Sequence, residues 1–309
     1  GIAGGHHLGV KLLGGMLSWT RHRSSLSRPD IGGFRFSGIV QHTLIEHCFR
    51  PLIMPPSPQQ RAQGFPVTGS LGTLALQIAG APMTGRLYIP ARAIETALDD
   101  LDAPAQAISG VNMAPRRPLS IIRLEAGRPT LGIGFWGLTP PWLQVLDHAP
   151  HCARAESLDS RPMFRDAFRA RRCLVPVAGA YAWQPRPNYK QPFLITRADR
   201  GPMLLAGLWC RFHTTLTDYN DSFALITVPS PGFLAPLTDR LPAVIAPGQA
   251  RAWLDPQSDP EDLKSLLSPP PGELLGAFPV SRRVNNPQEQ DPSCAHPIGK
   301  MWRQTSKET

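Results

Sequence analysis

The chain reads as an α+β fold built on a mixed, mainly antiparallel sheet, and three observations predict it. Short runs rich in branched and aromatic residues recur along the chain, few helical stretches separate them, and there is no internal repeat. Strands alternating regularly with helices would instead have indicated a doubly wound sheet. Composition agrees, since 42% hydrophobic content is that of a globular protein and 35 prolines with 27 glycines supply many turns. At 309 residues the chain has room for one large domain or two ordinary ones.

Residues 1–82 stand apart, with scattered His, Arg, Ser and Pro and no sustained period of 2 or 3.6 residues. They are expected to form a leader that builds no core. Within it Thr73–Ile78 could form a strand or a helical turn, and Pro55–Gln63 reads as flexible chain. Two origins stay open: a misassigned or fused segment ahead of a start at Met83, or a disordered extension. A regular domain is expected over 83–298 and a flexible tail over 299–309. Pro90–Leu101 carries Ile94, Ala97, Leu98 and Leu101 at the spacing of one helical face. Ser120–Leu124 and Thr130–Phe135 read as strands joined by a turn at Glu125–Arg128 that contains Gly127. Ser160 ahead of Pro162 is a cap and first-turn pairing that starts a helix through Arg172, with Met163, Phe164, Ala167 and Phe168 on its apolar face. Strands are predicted at Cys173–Val177, Pro192–Thr196, Met203–Trp209, Ser222–Val228 and Ala243–Ala246. Helices follow at Gly248–Leu254 and Pro260–Leu267, the second ended by Pro269–Pro271.

The net charge of +9 and pI near 9.8 suit a polyanionic partner, although solvated surfaces and basic tails share that balance. Arg171–Cys173 and Ser281–Arg283 add basic runs that read as solvated faces supporting the field. Five cysteines without a CxxC pair argue against a disulfide framework and a regularly spaced zinc site, and point to a reduced, cytoplasmic compartment. His6, His7, His42 and His47 lack a second ligand cluster, so no metal site is expected. No apolar run approaches the roughly 18 residues that span a bilayer, and the first residues lack the ordered regions of a signal peptide.

Seven motifs follow one another along the chain: MTGRL at Met83–Leu87, VNMAP at Val111–Pro115, GFWGLTPPW at Gly134–Trp142, HCARAES at His151–Ser157, RRCLVPVAGAYAW at Arg171–Trp183, LTDRLPAVI at Leu237–Ile245 and PVSRRVNNP at Pro279–Pro287. In that order and spacing the chain resembles the SOS-response-associated peptidase (SRAP) family of abasic-site processing proteins. The resemblance implies a SRAP-like fold: a distorted, mainly antiparallel β-barrel with flanking helices and a basic groove leading to the active pocket. It also implies a chemistry. Removal of Met leaves an N-terminal cysteine, whose α-amine, with a pKa near 8, condenses with the ring-opened aldehyde of an abasic site. The adjacent thiol then closes the imine to a thiazolidine, while an Asn, a Glu and a His orient the sugar and move protons.

All four of those groups are replaced here. Thr84 occupies the Cys position of the MCGR motif, Cys152 the Asn of NAR, Ala182 the Glu of YEW and Thr238 the His of HDR. Their neighbours Gly85, Arg86, Ala153, Arg154, Glu156, Trp183, Asp239, Arg240 and Pro242 match. The pattern reads as a kept scaffold with catalytic selection lost. An N-terminal Thr84 would still offer an amine for a Schiff base, but a hydroxyl is a much poorer nucleophile than a thiolate. Cys152 reads as a small residue filling the Asn volume, because adjacent strand residues point to opposite faces and His151 is badly placed to activate it.

By the same resemblance Arg86, Arg154 and Arg240 contact phosphate, a role that suits a planar fork able to hold two oxygens. Internal pairing, for instance with Glu156 or Asp239, is the alternative for each. Trp142, beside Pro140 and Pro141, is expected in the groove as a base platform and Trp136 in the core. Asn112 is expected either at the DNA backbone or capping its own turn. The functional expectation is a cytoplasmic, monomeric protein that binds single-stranded DNA at abasic or gapped sites, with crosslinking and autopeptidase activity weakened or lost. Two alternatives remain: an active N-terminal-nucleophile peptidase and crosslinker using Thr84 after Met83 removal, and an interaction or relic domain without a DNA role. No cofactor, metal or membrane partner is expected.

Overall fold

The computed structural model describes residues 85–99, 107–143, 149–215 and 217–304. The chain divides into two units, Gly1–Thr73 and Leu74–Thr309, and every described residue belongs to the second. The leader, the Thr73–Ile78 element and Thr84 lie outside the described residues.

In chain order the elements are β1 (Leu87–Ile89), α1 (Ala91–Asp99), β2 (Gly110–Met113), β3 (Pro118–Glu125), β4 (Arg128–Trp136), β5 (Cys152–Arg154), α2 (Pro162–Ala170), β6 (Arg172–Val177), β7 (Gly179–Arg186) and β8 (Tyr189–Arg197). They continue with β9 (Met203–His213), β10 (Tyr219–Pro229), β11 (Arg240–Pro242), β12 (Val244–Ile245), α3 (Ala250–Leu254), α4 (Pro260–Ser265), β13 (Leu275–Pro279) and β14 (Trp302–Arg303). One sheet has the order β14-β13-β8-β7-β1-β2. The other runs β11-β10-β4-β3-β6-β9-β12, with β5 beside β10. Because β10 also pairs with β9, strands β10, β4, β3, β6 and β9 close into a five-stranded barrel. Every pairing around that ring is antiparallel except β10 with β4. The expected α+β class, with a distorted and mainly antiparallel barrel, is the one observed.

Local sequence explains most elements. β3 and β4 meet at Ala126 and Gly127, whose φ values of 49° and 77° are the two positive angles required by a hairpin turn that matches strand twist. β6 is buried along its whole length because α1, α2 and α3 all pack on it. α2 begins with Pro162 as expected and buries Phe164, Ala167 and Phe168, but Ser160 is not its cap. The flanking residue is Arg161, which makes no side-chain cap, and Ser160 Oγ donates instead to the Ser157 carbonyl at 3.3 Å. The helix also stops at Ala170, short of the expected end at Arg172, because Arg172 enters β6. β7, read GAYAWQPR, carries no strand signal that survives its Gly and Pro. β14 falls inside the segment expected to be a flexible tail, and pairs with β13 at Gly276 and Ala277.

The Arg171–Cys173 run is not a solvated face. Arg172 is 2% exposed, donating from Nη1 to the carbonyls of Phe168 and Arg169 at 2.6 and 2.7 Å. Its Nε donates to Trp253 O at 2.7 Å and its Nη2 to Asp255 O. One guanidinium thus satisfies the terminal carbonyls of both α2 and α3, where a cation also complements the helix dipoles. Burial lowers its pKa to about 10, which leaves it charged at neutral pH.

A second buried arginine ties the barrel shut. Arg123 on β3 pairs with Asp221 on β10, and Arg211 on β9 binds the same carboxylate at 2.8 and 3.0 Å. β3 and β10 are not neighbours, so the pair reaches across β4 at Gly132, where an added Cβ would lie 3.3 Å from the Arg123 guanidinium. Both guanidinium groups lie over the Trp209 ring, at 4.7 and 5.8 Å. Burial pushes the Asp221 carboxyl up, but hydrogen bonds from Arg211 and Arg123 and their charges outweigh it and hold the group below the usual carboxylate range.

Replacing Asp221 by Ala leaves Arg123 buried without that counter-charge and should lower stability by about 3 kcal/mol, read by urea unfolding. The folded pKa of Asp221 lies below its unfolded value near 3.9. Its contribution is therefore complete above about pH 4 and fades as pH falls through the lowered value. Acid titration of unfolding should show a smaller loss over that range in Asp221→Ala than in the wild type.

Candidate functional site

Strand β10 gathers one half of the site. β5, which begins at Cys152, lies parallel to it, with Cys152 opposite Leu225 and Arg154 opposite Thr227. β11 lies antiparallel on the other edge, with Arg240 opposite Pro229. Thr227 joins the two edges, its hydroxyl donating to Ala153 O and accepting from Arg240 Nε, each at 3.2 Å. Arg240 also donates to Thr227 O at 2.6 Å, and its two terminal nitrogens hold the Glu156 carboxylate at 3.0 and 2.7 Å. That hydrogen bonding holds the Glu156 carboxyl below its ordinary range. Cys152 packs against this frame, its thiol pushed up to about 12 by burial against the opposing pull of Arg240.

Ala182 comes from the other sheet. β7 pairs with β1, and Tyr181 N donates to Arg86 O at 3.0 Å, so the chain entering from Gly85 runs beside Ala182. Ala182 is 3% exposed and belongs to the same apolar cluster as Ala153, Phe193 and Leu237. Thr238 is equally buried, and its hydroxyl donates to Arg240 O at 2.8 Å, closing its own turn. The described positions therefore offer a neutral thiol, a methyl group and an internally bonded hydroxyl. His151 precedes Cys152 in the chain. Burial lowers its pKa, and its ring stands edge-on to Trp136 with centroids 5.9 Å apart.

The residues expected at nucleic acid separate into buried and exposed groups. Asn112 is 1% exposed and works as a clasp rather than at the surface. Its Oδ1 accepts from Arg86 Nη1 at 2.8 Å, and its Nδ2 donates to the carbonyls of Val284 and Asn286 at 3.1 and 2.9 Å. Gln290 closes around its backbone, accepting from Asn112 N and donating to Asn112 O. Arg86 also donates to Val284 O at 3.0 Å and lies 5.9 Å from the Trp183 ring centre, while Trp183 Nε1 is fixed by Asn285 Oδ1 at 2.7 Å. Arg240 is held by Glu156, whereas Arg154 is exposed and makes no side-chain hydrogen bond or ion pair among the described residues. Trp142 is 57% exposed at an open cleft of about 460 Å³ that it shares with Pro140, Pro141, Met163 and Arg171. Trp136 is fully buried, stacked on Phe223, with its Nε1 on His151 O at 2.8 Å.

Sequence reasoning missed Thr227, Asn285 and Gln290. The partners that tie Asn112 and Arg86 to the C-terminal segment stand 172 to 198 positions away, so no local pattern marks them. Among the described residues no group of three or more His, Cys, Asp or Glu could hold a metal ion, and no helix is long and apolar enough to cross a membrane.

Comparison with known proteins points one way. The chain is 30% identical over 185 residues to the abasic site processing protein YoqW of Bacillus subtilis, a match covering 59% of this chain and 83% of that one. It is 26% identical over 202 residues to the abasic site processing protein YedK of Escherichia coli, covering 64% and 89%. The crystal structure of a Bacteroides thetaiotaomicron protein shares the fold at a TM-score of 0.61 and 20% identity, covering 69% of this chain and 98% of that one. The family model described as SOS response associated peptidase (SRAP) matches residues 83–287, most of the chain, which therefore belongs to the SRAP family.

Proposed function

We propose that this chain is a cytoplasmic, monomeric SRAP protein that binds single-stranded DNA at abasic or gapped sites, with covalent crosslinking and autopeptidase chemistry weakened or lost. The observation that carries this reading is the contrast within one site. The frame of Thr227, Arg240 and Glu156 is fully bonded, while Ala182 and Thr238 supply no carboxylate or imidazole for proton transfer. The matched relatives, named abasic site processing proteins, support a DNA-damage role.

In this reading Arg154 attracts the backbone phosphates and Trp142 offers an exposed face on which an unstacked base rests. Arg240 reaches a phosphate only by exchanging it for Glu156, whose side chain is 53% exposed and so able to give way. An amine at Thr84 could form an imine with an abasic aldehyde, but a hydroxyl neighbour closes it only weakly.

Native gels should show a shift with single-stranded DNA that weakens as salt rises, and denaturing gels should show no adduct with abasic DNA. The comparison needs both the full chain and a chain begun at Met83, its N-terminus checked by intact mass. A denaturation-resistant band formed only with abasic DNA would restore covalent chemistry to Thr84 and sink the inactive reading.

Trp142→Ala should weaken binding about tenfold with the salt slope unchanged, whereas Arg154→Ala should reduce that slope by about 0.7. At pH 8 a thiol with a pKa near 12 is ionised in only about one molecule in 10⁴. Alkylating reagents followed by peptide mapping should therefore label Cys152 in urea and spare it in the native protein. Prompt native labelling would show an accessible, ionised thiol.

A further inference from the structure

We propose that the tip of the β7–β8 hairpin is a second single-strand contact, a basic and aromatic patch that extends the DNA track outward from Ala182. The proposal rests on the single-stranded DNA reading above. β7 and β8 are joined through Pro187 and Asn188, with Arg186 directly opposite Tyr189. Tyr189 is 45% exposed, and the Arg282 guanidinium lies over its ring at 5.0 Å. Arg282 arrives there because the chain leaving β13 keeps following β8: Val280 N donates to Pro192 O at 3.0 Å and Gln191 Nε2 to Val280 O at 2.9 Å.

Arg186, Lys190 and Arg282 are exposed, and among the described residues none of them forms an ion pair. The next residue shows the contrast, since Arg283 is held by Glu289 at 3.0 Å and Asp291 at 3.6 Å. Inward from the tip, Trp183 is partly exposed with Arg86 beside its ring. Cation and ring thus meet at two places, Arg282 on Tyr189 at the tip, where Arg186 and Tyr189 share the strand face of Ala182, and Arg86 on Trp183 on the other face. Single-stranded nucleic acid fits such a surface, because its bases have π faces to stack and its phosphates meet the cations. An acidic polypeptide would use the cations and leave the rings without a role. The four steps from Ala182 to Arg186 span about 13 Å of strand, the length of about four stacked nucleotides.

The test compares labelled oligothymidylates of 6 and 12 nucleotides by fluorescence anisotropy over a series of salt concentrations, with folding of each variant checked by circular dichroism. For the full chain the 12-mer should bind more tightly and with the steeper salt slope. The triple variant R186A/K190A/R282A should lose about 2 from that slope on the 12-mer and leave the 6-mer unchanged. Tyr189→Ala should weaken the 12-mer about tenfold with its slope intact. A triple variant that keeps the wild-type slope and length dependence removes the hairpin from the track while leaving the DNA reading standing. Equal competition by polyglutamate would make the patch a general anion surface and overturn the proposal. A wild type that binds neither oligonucleotide at low salt takes down both readings.

Discussion

Strand β10 is hydrogen-bonded to β4 and β5 along one edge and to β9 and β11 along the other, and these registers decide where the side chains of the frame stand. Asp221 and Thr227 lie an even number of residues apart, so they share a face of the strand. Asp221 meets Arg123 and Arg211 at one end, and Thr227 meets Ala153 and Arg240 at the other. A slip of one residue would turn both away from their partners together. The barrel and the bonded frame of Thr227, Arg240 and Glu156 are therefore specified by the same strand.

The arginines explain why net charge alone describes this surface poorly. Arg172 is consumed inside, bonded to four carbonyls at two helix ends. Arg123, Arg240 and Arg283 are matched by carboxylates, so they order the chain locally and add little to a distant field. Arg154, Arg186 and Arg282 are exposed without an ion pair among the described residues, and so are Arg128, Arg161, Arg169, Arg200 and Arg251. A chain of net charge +9 thus has fewer free cations than its arginine count suggests, and where they stand depends on the fold.

Much of the fold could be read from the sequence where one physical signal dominates. The β3–β4 hairpin announces itself by apolar strands around Gly127, and α1 by the spacing of Ile94 and Ala97. β7 could not be read that way, because Ala180 and Ala182 on one face and Tyr181 and Trp183 on the other leave no apolar-polar alternation, and its strand character comes from pairing with β8 and β1. At the site, the pairing of Arg240 with Glu156 was one of two open readings of that arginine. The placement of Asn112 needed the C-terminal segment, which reaches it only in three dimensions. The buried role of Arg172 was hidden because a run of two arginines looks the same in sequence whether it faces water or a pair of helix ends.

Arg123 and Asp221 are 98 positions apart, and that distance bears on how the domain is made. A nascent chain that has emerged only through β9 has Trp209 and the half-exposed Glu125 to offer Arg123, but not the carboxylate of β10. Ordering a closed barrel around a guanidinium lacking its buried partner is costly, so closure waits for the long-range contact. Until then β4 and β9 each present a bare edge where β10 will bind. Such edges accept a strand from any chain that supplies one. Products truncated before Tyr219 would carry those edges permanently, so a single late strand separates a closed domain from an adhesive one.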